Sequence, residues 1–173
     1  MRLFVHLSAI TFLAACGNAD AAPAQSASVD SDGPTPVATA IAADTDQELP
    51  AVVVYKSPTC GCCNGWIEHL RAAGFTVDAR DVNDLMSVKL DAGVPGPLVT
   101  CHTALIDGYV VEGHVPVEAI QQMLADRPDI AGIGVPGMPV GSPGMEGPNP
   151  QPYQVIAFDG EGNLSVYAEV GPR

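Results

Sequence analysis

From residue 51 the chain alternates short apolar runs with amphipathic stretches. Ala51 to Tyr55 is a continuous apolar run, the pattern of a short strand buried on both faces. Cys62 to Ala73 places Trp66, Ile67 and Leu70 on one helical face, and Gly74 supplies a C-terminal stop. Phe75 to Arg80 alternates as a second strand. Asn83 or Asp84 can cap a helix running through Leu90, with Leu85, Met86 and Leu90 as its apolar side. Gly93-Val94-Pro95-Gly96-Pro97 then breaks the pattern. Leu98 to Ile106 and Tyr109 to His114 form a hairpin about Asp107-Gly108, a two-residue turn signal. Pro116 to Asp126 is the last helix of the series, ended by Arg127-Pro128. Residues 132–152 are dense in Gly and Pro, and Tyr153 to Phe158 and Leu164 to Glu169 flank Asp159-Gly160-Glu161-Gly162-Asn163 as a terminal hairpin.

The order strand, helix, strand, helix, strand, strand, helix defines an α/β fold of the thioredoxin-like type. It has a βαβαββα core, a Gly/Pro/Met-rich segment and a C-terminal β-hairpin. A Cys-x-x-Cys beside a βαβ pattern agrees with it, and Cys60 and Cys63 have that spacing. Such folds often carry a cis-proline before the third strand, and Pro95 and Pro97 are the candidates. Upstream, residues 1–15 read as a lipoprotein signal peptide, with Arg2 followed by a largely apolar stretch from Leu3 to Leu13 that is too short to span a bilayer. Leu13-Ala14-Ala15-Cys16 resembles a lipobox, so Cys16 would carry the lipid, and Gly17 after it leans toward the outer membrane rather than the inner. Residues 16–49 form the anchor and a tether rich in Ala, Ser, Thr, Pro and Asp without aromatic residues, a composition that cannot bury enough apolar surface to fold. Residues 50–131 are then the core, and 132–173 the Gly/Pro/Met-rich segment with the terminal hairpin.

A cell-envelope location changes how the cysteines are read, because idle thiols there become oxidised. Three of the five cysteines stand in Cys60-Gly61-Cys62-Cys63, at the junction of the first strand and first helix. The positive end of a helix favours thiolate, which is both a disulfide-exchange nucleophile and a soft-metal ligand. Three thiols exceed what a redox pair needs. Cys101 on the third strand can approach the same turn and is expected to supply a fourth thiol, with a buried core cysteine as the alternative. Soft thiolates with few carboxylate or imidazole partners fit Cu(I) best, and zinc or an iron–sulfur cluster less well. Strand alternation lets only one of Cys101 and His102 face that side, which leaves His102 between an outer contact and a structural role. His114 reads as a turn or capping residue with an outer ligand role as the alternative. Met138 and Met145 are candidate thioether ligands or gap-filling contacts, His69 an exposed polar residue, and Trp66 a residue packed on the sheet. The net charge of −13, with no basic cluster, argues against a nucleic-acid partner. No Gly-rich phosphate loop, nucleophile elbow or His-Glu-x-x-His motif is present.

Several of these segments together resemble the CopG-like family, periplasmic proteins associated with copper resistance. They are Tyr55 to Cys63, Val94-Pro95, Cys101-His102-Thr103-Ala104, Asp107 to Val110, Glu112 to Pro116, Gly137-Met138-Pro139 and Gly141 to Glu146. The resemblance runs from about residue 51 to the C-terminus. It implies a thioredoxin-like fold and copper held by cysteine thiolates, with the family's Cys-x-Cys-Cys motif on Cys60, Cys62 and Cys63 and its Cys-His pair on Cys101 and His102. It also implies a multinuclear, cysteine-bridged cluster and a copper redox role. Gly96-Pro97 departs locally from the family pattern. The expected function is therefore a lipid-anchored envelope protein that binds copper in copper tolerance, by sequestration, transfer or redox conversion, with a copper efflux or chaperone protein as partner. The alternative is a periplasmic thiol–disulfide oxidoreductase with Cys60 as nucleophile and Cys63 as resolving thiol. A third is a metal-bearing module whose terminal hairpin docks on a partner protein.

Overall fold

The computed structural model describes residues 49–172; the expectations for the signal peptide, Cys16 and nearly all of the tether lie outside them. The core begins with β1 (Val52–Lys56), α1 (Gly61–Ala72), β2 (Val77–Asp81) and α2 (Leu85–Asp91). A 3-10 turn at Gly96–Leu98 leads into β3 (His102–Ile106), β4 (Tyr109–Glu112) and α3 (Val117–Asp126). Then come β5 (Gly132–Gly134), β6 (Tyr153–Phe158) and β7 (Leu164–Val170). The first seven of the strands and helices follow the expected order. All seven strands join one sheet, ordered β2-β1-β3-β4-β5-β6-β7. β1 is parallel to β2 and antiparallel to β3, and β3 is antiparallel to β4.

The apolar periodicity of the helices becomes one core. Trp66, Ile67 and Leu70 of α1 and Ala119, Ile120 and Met123 of α3 pack with Val52, Val54, Ala104, Ile106 and Val111 of the sheet. Full burial of each large apolar side chain stabilises by roughly 1.5–3 kcal/mol. A smaller cluster of Val94, Leu98, Val110 and Phe158 forms a second layer.

Four expectations change. β2 is an exposed edge strand after its first residue rather than an alternating one. The stretch before β3 is not strand: Pro97 lies in the 3-10 turn, and Val99 to Cys101 run on without regular pairing. No cis peptide bond occurs among the described residues, so Pro95 and Pro97 are both trans. On α2, Met86 and Leu90 are 51% and 70% exposed while Lys89 is buried, the reverse of the expected apolar side. Lys89 pairs with a buried carboxylate on β4, described below.

The Gly/Pro-rich segment also contributes a strand that apolar patterning could not reveal. β5 is Gly132-Ile133-Gly134, parallel to β4 and antiparallel to β6. A Cβ at Gly132 would stand 2.1 Å from the Val110 carbonyl oxygen and 2.7 Å from the Phe158 ring, so only glycine fits. Through β5 the terminal hairpin extends the core sheet instead of standing apart from it.

Candidate metal centre

Cys60 is the N-cap of α1, and its N–H donates to the Ser57 carbonyl at 3.1 Å. The helix then carries Cys62 and Cys63 in its first turn. Cys60 and Cys62 are half-buried and Cys63 is fully buried. A disulfide joins Cys60 to Cys63 across a Cα separation of 5.4 Å, and Cys62 and Cys101 are free thiols. The Cys62 sulfur lies 3.5 Å from that of Cys60. Cys101, immediately before β3, brings the fourth sulfur in: Cys63 Sγ is 3.6 Å from the Cys101 carbonyl oxygen. All four sulfur atoms lie within 4.8 Å of one another.

A second group shares Cys101. Its Sγ is 3.3 Å from His102 Nδ1 and 3.1 Å from His114 Nε2, and these three donor atoms also lie within 4.8 Å of one another. The strand-alternation expectation fails here for a definite reason. Cys101 stands outside β3, so its side chain is free to turn toward the face that His102 occupies. His114, expected as a turn or capping residue with an outer ligand role as the alternative, is fully buried beside Cys101. Its Nδ1 is 2.7 Å from the Pro143 carbonyl oxygen, which can only accept. The proton therefore sits on Nδ1, and the Nε2 lone pair is directed at Cys101. A ring held in this way by a backbone carbonyl is the common outer support of a metal-binding histidine.

Burial sets the protonation of this group. It pushes the Cys101 thiol up to about 12, with neighbouring Cys62 adding to the effect. It pushes His102 down to about 3, helped by His114 and Lys89, and it also lowers His114. At neutral pH the site thus offers a thiol and two neutral imidazoles, and a metal taken by Cys101 displaces a proton. His102 Nε2 is buried without a hydrogen-bond partner. The His102 ring packs against Trp66 at a centroid distance of 4.4 Å, while Trp66 Nε1 donates to the Val115 carbonyl at 2.8 Å.

The Gly/Pro-rich segment covers part of this region. Pro143 reaches His114, and Gly144 sits against the backbone of α1. A Cβ at Gly144 would stand 2.5 Å from the Cys62 carbonyl oxygen and 2.6 Å from the Trp66 nitrogen, at a φ of +81°. Glu146 accepts from the Gly144 N–H at 2.8 Å and meets His69 Nε2 at 2.5 Å. His69 is otherwise the exposed polar residue expected. Met138 is 51% exposed, and Met145 is half-buried with its N–H donating to the Ser142 carbonyl.

The buried polar residues behind Cys101 carry almost no signal in the sequence. Lys89 Nζ donates to Glu112 Oε1 at 2.6 Å and to Thr103 Oγ1 at 2.9 Å. Glu112 Oε1 also accepts from the Thr100 N–H at 2.7 Å and the Thr100 hydroxyl at 3.1 Å, and Oε2 accepts from the Thr103 hydroxyl at 2.7 Å. The only sequence signal was Glu112 itself, placed between an apolar strand and Gly113-His114.

Taken together, the donors are soft and sulfur-rich, with imidazole nitrogens at one side. That set suits a thiophilic metal and lacks the oxygen ligands of calcium or magnesium. Residues 98–145 match the family described as protein of unknown function DUF411. A solved structure of copper resistance protein copG, form 2, is 47% identical, with a TM-score of 0.68 over 71% of this chain and 99% of that one. Form 1 of the same protein is 46% identical, with a TM-score of 0.67 over 72% of this chain and 99% of that one. No curated protein matches the chain.

Proposed function

The chain belongs to the CopG-like copper-resistance family, and on that premise we propose that it binds copper, as Cu(I), through Cys60, Cys62, Cys63 and Cys101. His114 and His102 complete the donor set at the Cys101 side. The observation that carries this reading is the position of Cys101, whose sulfur belongs both to the four-sulfur group and to the Cys-His-His group. A shared thiolate can bridge metal ions, so the arrangement supports more than one copper per chain. The biological role is copper tolerance, by sequestration, transfer to a copper efflux or chaperone protein, or redox conversion of the ion. Use of all four sulfurs requires that the Cys60–Cys63 bond first be reduced by a dithiol, which gives two electrons and two protons to that bond, becomes a disulfide itself and leaves two thiols here.

Reduced full-length protein titrated with Cu(I) against a chromophoric chelator is expected to take up several equivalents. The quadruple Cys→Ser variant at 60, 62, 63 and 101 is expected to lose them. Unchanged stoichiometry in that variant defeats the reading.

The thiol–disulfide alternative draws on one observation. Cys60 is partly accessible and Cys63 fully buried, the asymmetry expected of an attacking and a resolving thiol. A Cys63→Ser variant that accumulates mixed disulfides with substrate proteins favours it; insulin left unreduced by the wild type counts against it. We further propose that Cys16 carries lipid and tethers the protein to the cell envelope, facing the periplasm. No helix among the described residues is long and apolar enough to cross a membrane. The mass of the mature N-terminus, compared with that of a Cys16→Ser variant, tests the anchor.

A further inference from the structure

The Lys89–Glu112 pair is among the most deeply buried charged groups described, with side chains 3% and 0% exposed. Its partners are not scattered. Glu112 binds Thr100 and Thr103, which flank Cys101 and His102 on either side, and Lys89 binds Thr103. Glu112 itself ends β4, two residues before His114. One carboxylate therefore ties together the two chain segments that deliver Cys101, His102 and His114.

The local backbone explains why such a tie is needed. The β3–β4 ladder ends at the pair Thr103 and Glu112, and Val99 to Cys101 lie outside any strand. Thr100 has no strand partner for its N–H; the Glu112 carboxylate takes that place. A buried ion pair is weak evidence of stability, because desolvation consumes much of its attraction. A carboxylate with four donors at defined positions instead selects one conformation of the segment that carries Cys101. Lys89 balances the charge that this requires.

We propose that Glu112, Lys89 and Thr103 are positioning residues that set the geometry of the Cys101-His102-His114 side of the centre. The inference rests on the copper reading above, but its geometry can be tested without metal. Trp66 is the chain's one tryptophan and packs on His102, so its emission reports the placement of that ring.

Full-length reduced wild type is compared with Thr103→Val, Thr103→Ser and Glu112→Gln, and with Ile120→Val as a control for ordinary core destabilisation. Cu(I) affinity is measured by chelator competition. Trp66 emission and histidine nitrogen NMR signals are measured metal-free. Thr103→Val and Glu112→Gln are expected to weaken Cu(I) binding about 10–100-fold, the usual range for outer partners of metal ligands. They are also expected to shift the Trp66 emission and the His102 and His114 signals. Thr103→Ser keeps the hydroxyl and should restore wild-type behaviour, and Ile120→Val should match wild type in Cu(I) affinity and in the His102 and His114 signals. Wild-type affinity and spectra in Thr103→Val and Glu112→Gln overturn the inference and leave the copper reading standing. Absence of Cu(I) binding by wild type defeats the copper reading, and the metal-free signals then decide the positioning role alone. Should Glu112→Gln fail to fold, the Thr103→Val and Thr103→Ser pair decides it.

Discussion

The helix side and the sheet side of the cysteine centre are assembled by opposite means. On the helix side, Cys60, Cys62 and Cys63 come from four consecutive positions, and two of them are partly accessible. On the sheet side, Cys101, His102 and His114 come from two segments, and both imidazoles are fully buried. The helix side can change its bonding, since Cys60 and Cys63 are disulfide-linked while Cys62 sits 3.5 Å away as a free thiol. The sheet side is fixed by a carbonyl on His114 and an ion pair behind Cys101. Accessible sulfur suits exchange of metal or electrons with another molecule; buried imidazole stays neutral and keeps a lone pair available. The contrast teaches that a centre can combine a reactive side with a preorganised one, joined by a single shared atom, Cys101 Sγ.

The strongest test of that contrast compares the shared sulfur with an unshared one. Cys101→Ser removes a donor from both groups, whereas Cys62→Ser removes one from the helix side alone. Cys101→Ser is expected to abolish most Cu(I) uptake, with the remaining affinity falling by more than the 10–100-fold typical of outer partners. Cys62→Ser should retain a measurable fraction of the equivalents. Copper-to-protein ratios after chelator competition provide the measurement. Equal losses in the two variants would show that the sides do not differ in the way described.

The next test concerns the Gly/Pro-rich segment that touches both sides, with Pro143 on His114 and Gly144 on α1. Gly144→Ala forces a methyl group into the Cys62 carbonyl and the Trp66 nitrogen, both of them backbone, at a positive φ. Overpacking of this kind costs about 1–3 kcal/mol, and the left-handed backbone adds roughly 1 kcal/mol for alanine. A total loss of about 2–4 kcal/mol is expected in urea unfolding. With Pro143 displaced, the His114 nitrogen signals should report a mixture of tautomers. Gly61→Ala is the matched control, because a Cβ there meets nothing within 4 Å. A Gly144→Ala protein with wild-type stability and a single His114 tautomer would remove the segment from the account of the sheet side.

How legible these features were in the sequence follows from what each depends on. The helix side was visible because its cysteines are contiguous and lie between an apolar strand and an amphipathic helix. The core order was visible for the same reason: Val52 to Lys56, Trp66 to Leu70 and Ile120 to Met123 carry local periodicity. The sheet side was only partly visible. Cys101 was anticipated through its proximity to the cysteine turn, but placing it on a strand made His102 and Cys101 compete for one face. His114 and Glu112 are brought into place by the β3–β4 pairing and by a loop some thirty residues away, and neither relation leaves a periodic trace. Lys89 was hidden by a rule that holds on average: lysine on a helix with Leu85, Met86 and Leu90 is assigned to solvent. Here a buried carboxylate reverses it. β5 was missed because glycine is required at Gly132 by the approach of Val110 and Phe158, and glycine carries no strand signal.

The smallest expected effect probes whether α2, which carries Lys89, depends on its own cap. Asp84 is the N-cap of this short helix, and its carboxylate accepts from the Ser87 N–H at 3.1 Å and the Ser87 hydroxyl at 2.6 Å. Those bonds, the hydroxyl first, hold the Asp84 carboxyl below the usual carboxylate range. A carboxyl lowered in the folded state stabilises the protein above its unfolded value of about 4, and this contribution disappears as pH falls through the lower folded value. Asp84→Ala should therefore be modestly less stable than wild type at pH 7, with the gap closing as the solution is acidified below about pH 4. Asp84→Asn retains an acceptor for the Ser87 N–H and should lose less. Urea midpoints at pH 7 and pH 3 give the comparison. If the cap also steadies the sheet side through Lys89, Asp84→Ala will shift Trp66 emission in the same sense as Thr103→Val, but by less. A change in Trp66 emission as large as that of Thr103→Val would mean that the placement of α2, rather than the Glu112 bonds, governs His102.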